Sequence, residues 1–189
     1  MQTLQRLLTK YPNVIFWLPF IVFSTMLYFV SPADIVSWVG VSNSYLFMFI
    51  VAFIGGVSIF SGVPYPAILV TLALGGLNPF YLGAAAAFGL FLGDSFSFFL
   101  GKKSEGLITG SMKTMLDKIL TLYDRFPKMM PLVFFTYGSV SPFPNDVITI
   151  SAGIKGFPWA KTMPPLALGN LVFCVGVAYF ADKLAFLFS

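Results

Sequence analysis

The chain has 189 residues, of which 58% are hydrophobic and 10% charged, with 23 phenylalanines and a mean hydropathy of +0.88. A soluble domain carries about 25% charged residues, so this composition excludes a soluble protein and predicts an all-α integral membrane protein. With no histidine and one cysteine, we expect no catalytic site, no metal site and no cofactor. The net charge of +4 indicates lysines in cytoplasmic loops and not a nucleic-acid surface.

An N-terminal membrane anchor helix and a connection are predicted over residues 1–44. Arg6 and Lys10 precede an uncharged run that lacks a small-x-small cleavage site, so the run is a retained signal anchor. Its spanning part is predicted over 13–30. The stretch Ser31-Pro32-Ala33-Asp34 ends this helix, and a polar-edged connection follows through Trp38.

A membrane domain is predicted over 45–181, and it begins with a broken apolar segment. Residues 45–61 are apolar, the Pro64-x-Pro66 motif interrupts them, and a short apolar run ends at Gly75-Gly76. Because such a run is too short to cross a bilayer, residues 45–76 are predicted to form a re-entrant helical hairpin. A spanning helix rich in glycine and alanine, which favours close helix packing, is predicted over 80–101.

The stretch 102–128 is strongly basic and carries six of the eleven Lys and Arg residues. Within it, apolar residues recur at helical spacing, which predicts a helix over 111–125 with Ser111 as N-cap. This connector lies either on the membrane surface or against the protein's own loops. Its cations anchor the connector to anionic lipid or recruit anionic headgroups.

A second broken segment over 129–154 resembles the first. Pro142 and Pro144 cannot continue a helix, and Asn145 and Asp146 favour the start of the next one. A second re-entrant hairpin is therefore predicted here, followed by a final span over 162–181 that is entered through Pro164-Pro165.

The two halves of this domain align as an internal repeat. The Pro-x-Pro motifs and two further pairs, Thr71 with Thr149 and Gly75 with Gly153, match at an offset of 78. Leu92-Gly93-Asp94 aligns with Leu168-Gly169-Asn170 after a small slip. Such repeats are typical of secondary transporters. The positive-inside rule places the N-terminus and the connector in the cytoplasm, so the two hairpins are opposed, enter from opposite faces and form an inverted repeat.

Asp146 is the candidate central residue, because an intramembrane carboxylate usually faces a cavity or an ion path. It carries a proton or coordinates sodium, or it simply caps the half-helix. Hydroxyl and amide groups either bind substrate or satisfy opened backbone, and Asp94 has a structural role or belongs to the site. The candidate substrate- or ion-binding residues are Asp146, Asn145, Pro142, Pro144, Pro64, Pro66, Ser139, Ser141, Thr71, Thr149 and Asp94.

Several of these motifs together resemble the DedA/VTT membrane proteins, also called SNARE-associated Golgi protein homologues. They are the re-entrant hairpin, Leu-Gly-Asp-Ser at 92–95, Gly-Lys-Lys at 101–103, the basic connector, Pro-x-Pro-Asn-Asp at 142–146 and Ser-Ala-Gly-Ile-Lys-Gly-Phe-Pro-Trp at 151–159. The likeness covers roughly residues 45–181. The chain departs from many bacterial members in lacking an acidic residue at the first hairpin tip and an arginine in 137–141.

This resemblance implies a flippase or scramblase that moves a phospholipid or a polyprenyl phosphate between leaflets of the plasma or inner membrane. Helix starts attract phosphate without a side-chain charge, which compensates for the missing arginine. One alternative is a proton- or sodium-coupled transporter of a small solute or drug, and a second is a non-transporting scaffold. Membrane lipids, with protons or sodium, are the expected partners, and a homo-oligomer is left open.

Overall fold

The computed structural model describes residues 31–57, 65–103, 121, 123–141, 145–181 and 183. All the regular elements in these ranges are helices, which confirms the predicted all-α class. In chain order they are α1 (Pro32–Val39), α2 (Val41–Val57), α3 (Tyr65–Leu74), α4 (Pro79–Lys103), α5 (Met130–Val140), α6 (Asp146–Ile154) and α7 (Trp159–Tyr179). The predicted anchor span 13–30 and most of the predicted connector helix 111–125 lie outside the described residues.

Helix α1 occupies a stretch for which the sequence predicted only a connection. Ser31 is its N-cap, because the Ser31 hydroxyl oxygen accepts a hydrogen bond from the Asp34 amide at 3.2 Å. Pro32 stands at the first helical position, where its missing N–H costs nothing. Gly40, with φ of +82°, ends the helix, and α2 then departs at 99° to α1.

Helices α4 and α7 are each long and apolar enough to cross a membrane, and α1 with α2 gives a third candidate span if the bent pair counts as one. The predicted spans 80–101 and 162–181 are thus confirmed as helices. The second begins earlier than predicted, at Trp159, so that Pro164 and Pro165 lie inside it. Both prolines lie in its second turn, where each removes one intrahelical hydrogen bond, to the carbonyl oxygens of Ala160 and Lys161.

Helices α3, α5 and α6 are short, with 10, 11 and 9 residues. At about 1.5 Å per residue each is roughly half as long as the ~30 Å hydrocarbon core is thick. Together with α2, they lie largely within the ranges 45–76 and 129–154, for which hairpins were predicted.

Glycines let the helices pack at close range. A side chain at Gly93 would meet the Phe53 carbonyl oxygen and the Gly56 backbone of α2, and a side chain at Gly169 would meet the Phe135 carbonyl oxygen and the Gly138 backbone of α5. Thus α2 packs on α4 as α5 packs on α7. The long helices α4 and α7 also contact each other, α6 packs on α4, and α3 packs less extensively on α7.

The end of the connector is packed against the protein. Tyr123 is 2% exposed, its ring lies beside Phe134 and Phe157, and its hydroxyl donates a hydrogen bond to the Ile148 carbonyl oxygen at 3.1 Å. Burial raises the pKa of Tyr123, so the hydroxyl remains a donor at ordinary pH. Lys155 and Asp124 add an exposed ion pair at 2.7 Å.

Candidate functional site

The last described turn of α2 and the first turn of α6 lie together beside the middle of α4. Helix α2 runs parallel to α4, because the Asn78 amide donates to the Tyr45 hydroxyl near both helix starts, while Gly56 lies against Gly93 and Asp94. Helix α6 covers the rest of α4, since a side chain at Gly153 would meet the backbone of Phe98 and Lys102. The last described turn of α2 and the first turn of α6 therefore both contact α4 between Gly93 and Ser97.

Asp94 is the centre of a buried cluster that joins three helices. Its Oδ2 atom accepts hydrogen bonds from the Asn145 amide at 2.9 Å and from the Asn170 amide at 3.0 Å. The Asn145 Nδ2 group also donates to the Asn170 Oδ1 atom at 3.0 Å. Asp94 and Asn170 are 1% and 3% exposed. One carboxyl and two carboxamides thus hold α4, α7 and the start of α6 together.

Asp146 forms a second buried contact one turn further along α4. The Ser97 hydroxyl is 2.7 Å from the Asp146 Oδ1 atom and 3.0 Å from the Gly56 carbonyl oxygen of α2. Asp146 and Ser97 are both buried. Ser97 consequently links the C-terminal part of α2 to the first residue of α6, which is Asp146.

Each carboxyl keeps one oxygen free. The Asp94 Oδ1 and Asp146 Oδ2 atoms are buried and have no hydrogen-bond partner among the described residues. A buried polar atom without a partner is costly, and at such a site it often marks a bound ion, a water or a functional group.

The Asp146 side chain bonds to another helix and not to its own first turn. The N-cap of α6 is Asn145, whose side chain makes no capping bond, although its carbonyl oxygen accepts from the Ile148 and Thr149 amides. A negative charge at this position would still be favoured by the helix dipole.

Some of the other predicted site residues join the cluster, and others form hydrogen bonds within their own helices. Asn145 and Asp94 join the cluster. The hydroxyls of Thr71, Thr149 and Ser139 donate to carbonyl oxygens in their own helices, those of Ala67, Asp146 and Phe135.

Two further predicted residues, Ser141 and Pro66, lie at the ends of short helices. Ser141 follows the last residue of α5 as its C-cap, and its amide donates to the Tyr137 carbonyl oxygen. Pro66 is the second residue of α3. Pro64, Pro142 and Pro144 lie outside the described residues.

Two residues of the cluster, Asn170 and Ser97, were not among the predicted site residues. Asn170 was noted only as the repeat partner of Asp94, and the structure places the two side chains in direct contact. Ser97 follows Asp94 by three residues, which puts both on one face of a helix. That spacing was the available signal.

The arrangement offers oxygen atoms to a small hard cation. Two carboxyls and two carboxamides match the oxygen preference of such ions, and a proton binds to a carboxyl directly. Within the described ranges, His, Cys, Asp and Glu form no group of three or more that could hold a metal ion.

Comparison of the chain with protein-family models, with curated proteins and with solved structures gives no match. The likeness to the DedA/VTT proteins therefore rests on the sequence motifs alone.

Proposed function

We propose that this chain is a membrane transporter that moves a lipid with a phosphate headgroup between the two leaflets, with a cation bound at Asp94 and Asp146 as the coupling ion. The observation that carries the proposal is the pair of buried carboxyls, each with a free oxygen, at the point where α2 and α6 meet on α4. Buried carboxyls at membrane depth favour an ion path.

The order of the helices supports a repeated transport unit. A helix, a short helix, a glycine turn and a long helix occur in this order as α2–α4 and again as α5–α7. Gly76 and Gly156, both with positive φ, stand in the two turns. Gly56 on Gly93 has its counterpart in Gly138 on Gly169. We interpret these units as an inverted repeat of re-entrant hairpins, the arrangement found in many transporters.

The distribution of charge supports one orientation. Lys102 and Lys103 end α4, Lys155 follows α6, and Lys161 lies in the first turn of α7. These helix ends share one end of the bundle, since Gly153 lies against Lys102. Under the positive-inside rule, this basic end is cytoplasmic in the proposed orientation.

The cargo is proposed from the family resemblance and from electrostatics. The first turns of the short helices α3 and α6 carry N–H groups that have no partner within the helix, and such groups bind phosphate. Two ionised carboxyls would repel an anionic headgroup, so the headgroup approaches only when a cation neutralises Asp146 or Asp94. Acyl chains meanwhile remain beside the exposed apolar side chains of α4, among them Phe88, Phe96 and Phe99.

A second candidate is a cation-coupled carrier of a small soluble compound. The observation that favours it is the cluster itself, whose carboxyl and carboxamide groups recognise a cation or a polar solute as readily as a lipid. A scaffold without transport does not account for the free oxygens of the two carboxyls.

The test is reconstitution into liposomes with labelled phospholipid or polyprenyl phosphate on one leaflet. Wild type is expected to accelerate translocation and to respond to a pH or sodium gradient. Asp146→Asn removes the carboxyl that binds and releases the coupling cation, so the response to the gradient is expected to vanish. Asp34→Asn, an exposed carboxyl on α1, is the matched control and is expected to behave as wild type.

Failure of wild type to accelerate any of these lipids would overturn the proposal. Gradient-driven uptake of a soluble compound without lipid movement would instead establish the second candidate.

A further inference from the structure

The Ser97 hydroxyl makes two short contacts with other oxygen atoms. If Asp146 is ionised, only one hydrogen is present for these two contacts. A serine hydroxyl has a single hydrogen to donate, yet the Ser97 oxygen lies 2.7 Å from the Asp146 Oδ1 atom and 3.0 Å from the Gly56 carbonyl oxygen. An ionised carboxylate and a carbonyl oxygen are both acceptors only. One of the two short oxygen–oxygen contacts would then have no hydrogen between its atoms.

Both contacts are satisfied when the carboxyl brings the second hydrogen. A protonated Asp146 donates to the Ser97 oxygen, and Ser97 donates to the Gly56 carbonyl oxygen. The 2.7 Å separation is typical of an O–H···O bond. Asp94 lacks such an arrangement, because its Oδ2 atom accepts from two amides while its Oδ1 atom has no described partner to which a proton could be donated.

The α6 dipole favours a charge at Asp146, whereas the acidic and acceptor groups of the neighbouring helices favour the neutral carboxyl. Helix α4 contributes Asp94, α2 the Gly56 carbonyl oxygen, and α5 Tyr137, while α7 contributes the neutral Asn170 through the amide cluster. The described lysines stand at helix ends and are exposed. Two amide donors suit an ionised Asp94, and two negative charges in one buried site disfavour each other.

We infer that Asp146 binds a proton in this structure and that Ser97 transmits the loss of this proton to Gly56 of α2. When the proton passes to water, the carboxyl becomes a carboxylate and attracts the Ser97 hydrogen. The Gly56 carbonyl oxygen then loses the Ser97 donor. One carboxyl at the start of α6 thereby controls a contact of α2. This inference rests on the proposed transport function, and it assigns the proton, and not sodium, as the coupling ion.

The proton is tested directly by infrared spectroscopy of the purified, reconstituted full chain. At neutral pH, wild type is expected to show the carbonyl stretch of a protonated carboxylic acid, which weakens as the pH is raised. Asp146→Asn should abolish this band, whereas Asp34→Asn should retain it. The inference is overturned if wild type lacks the band, if the band does not titrate, or if it persists in Asp146→Asn.

The role of Ser97 is tested with two matched alanine variants of the same helix, α4. Ser97→Ala removes the acceptor of the Asp146 proton, so the carboxyl band is expected to shift in frequency. The Ser95 hydroxyl has no hydrogen-bond partner among the described residues, so Ser95→Ala should leave the band in place. An unshifted band in Ser97→Ala would overturn the link between Ser97 and Asp146.

Transport measurements separate this inference from the function on which it rests. Imposed pH and sodium gradients are compared in the same liposomes, and only the pH gradient is expected to change the translocation rate. A response to sodium alone overturns the assignment of the proton as coupling ion. A titrating band without any lipid movement would keep the proton on Asp146 and overturn the proposed function.

Discussion

A single amide group, that of Asn145, connects the start of α6 to both long helices. Its Nδ2 atom donates to Asp94 of α4 and to Asn170 of α7. Because the Asn170 amide also donates to Asp94, the three side chains form a closed triangle of hydrogen bonds. Asn145 is thus the member of the cluster that attaches the start of α6 to the two long helices.

Asn145→Ala is expected to lower the free energy of unfolding by about 1–2 kcal/mol, because Asp94 loses one of two donors while it stays buried. Interhelical hydrogen bonds in membranes are often worth less, about 0.6 kcal/mol on average, so this value is at the upper end. The measurement is denaturation of the purified protein in detergent.

Asn43→Ala is the control for this substitution. Asn43 is exposed, and its amide donates to the Val39 carbonyl oxygen, so we expect a change within about 0.5 kcal/mol. Equal effects of the two substitutions would contradict the importance assigned to the cluster.

The residue-level predictions from sequence succeeded where chemistry is local. Asp146 was singled out because a carboxylate after two prolines is unusual in an apolar run. Asp94 was a candidate with either a structural or a site role, and Asn170 was noted only as its aligned position, because the two donors to Asp94 lie 51 and 76 residues away from it. No local pattern indicates that three polar residues so far apart will share one site.

At the scale of the elements, glycines fix how closely the helices cross. Gly169 of α7 lies against the carbonyl oxygen of Phe135 and the amide of Ser139, whereas Gly176 of the same helix has nothing within 4 Å of where a side chain would begin. The two glycines have the same helix propensity and differ only in what surrounds them.

We expect Gly169→Ala to destabilise the protein by about 1–3 kcal/mol, because the added methyl group forces α5 and α7 apart. Gly176→Ala is expected to be neutral or to stabilise by up to about 1 kcal/mol through helix propensity. Thermal unfolding in detergent compares the two variants. A loss of stability in Gly176→Ala as large as that in Gly169→Ala would show that close packing is not the cause.

Helix positions were predicted well from apolar runs and breaks. They were predicted poorly where the same residues are compatible with either the start or the end of a helix. The predicted span 80–101 is the helix Pro79–Lys103, because hydropathy and the glycine turn before it agree. Ser31-Pro32 was interpreted as the end of a helix, but serine followed by proline is also a strong helix start. The start of α7 was missed because two prolines suggested a boundary, whereas both lie inside the helix in its second turn.

For the whole molecule, the distribution of charge predicts the orientation in the membrane. In a Cys174→Ala background, which removes the buried thiol, Lys161→Cys should react with an impermeant maleimide only from the cytoplasmic side. Asp34→Cys, near the opposite end of the bundle, should react only from outside. Labelling of right-side-out and inverted vesicles measures both. Reaction of the two cysteines from the same side would exclude the proposed orientation.

The long sequence separation of the Asp94 contacts has a consequence for biosynthesis. Ribosomes deliver α4 to the membrane well before Asn145 and Asn170 are made, so the carboxyl of Asp94 enters the insertion machinery without its donors. A lone carboxylate costs a few kcal/mol in a nascent span. The surrounding apolar sequence of α4 has to outweigh that cost, and α4 reaches its final packing only after translation has passed residue 170.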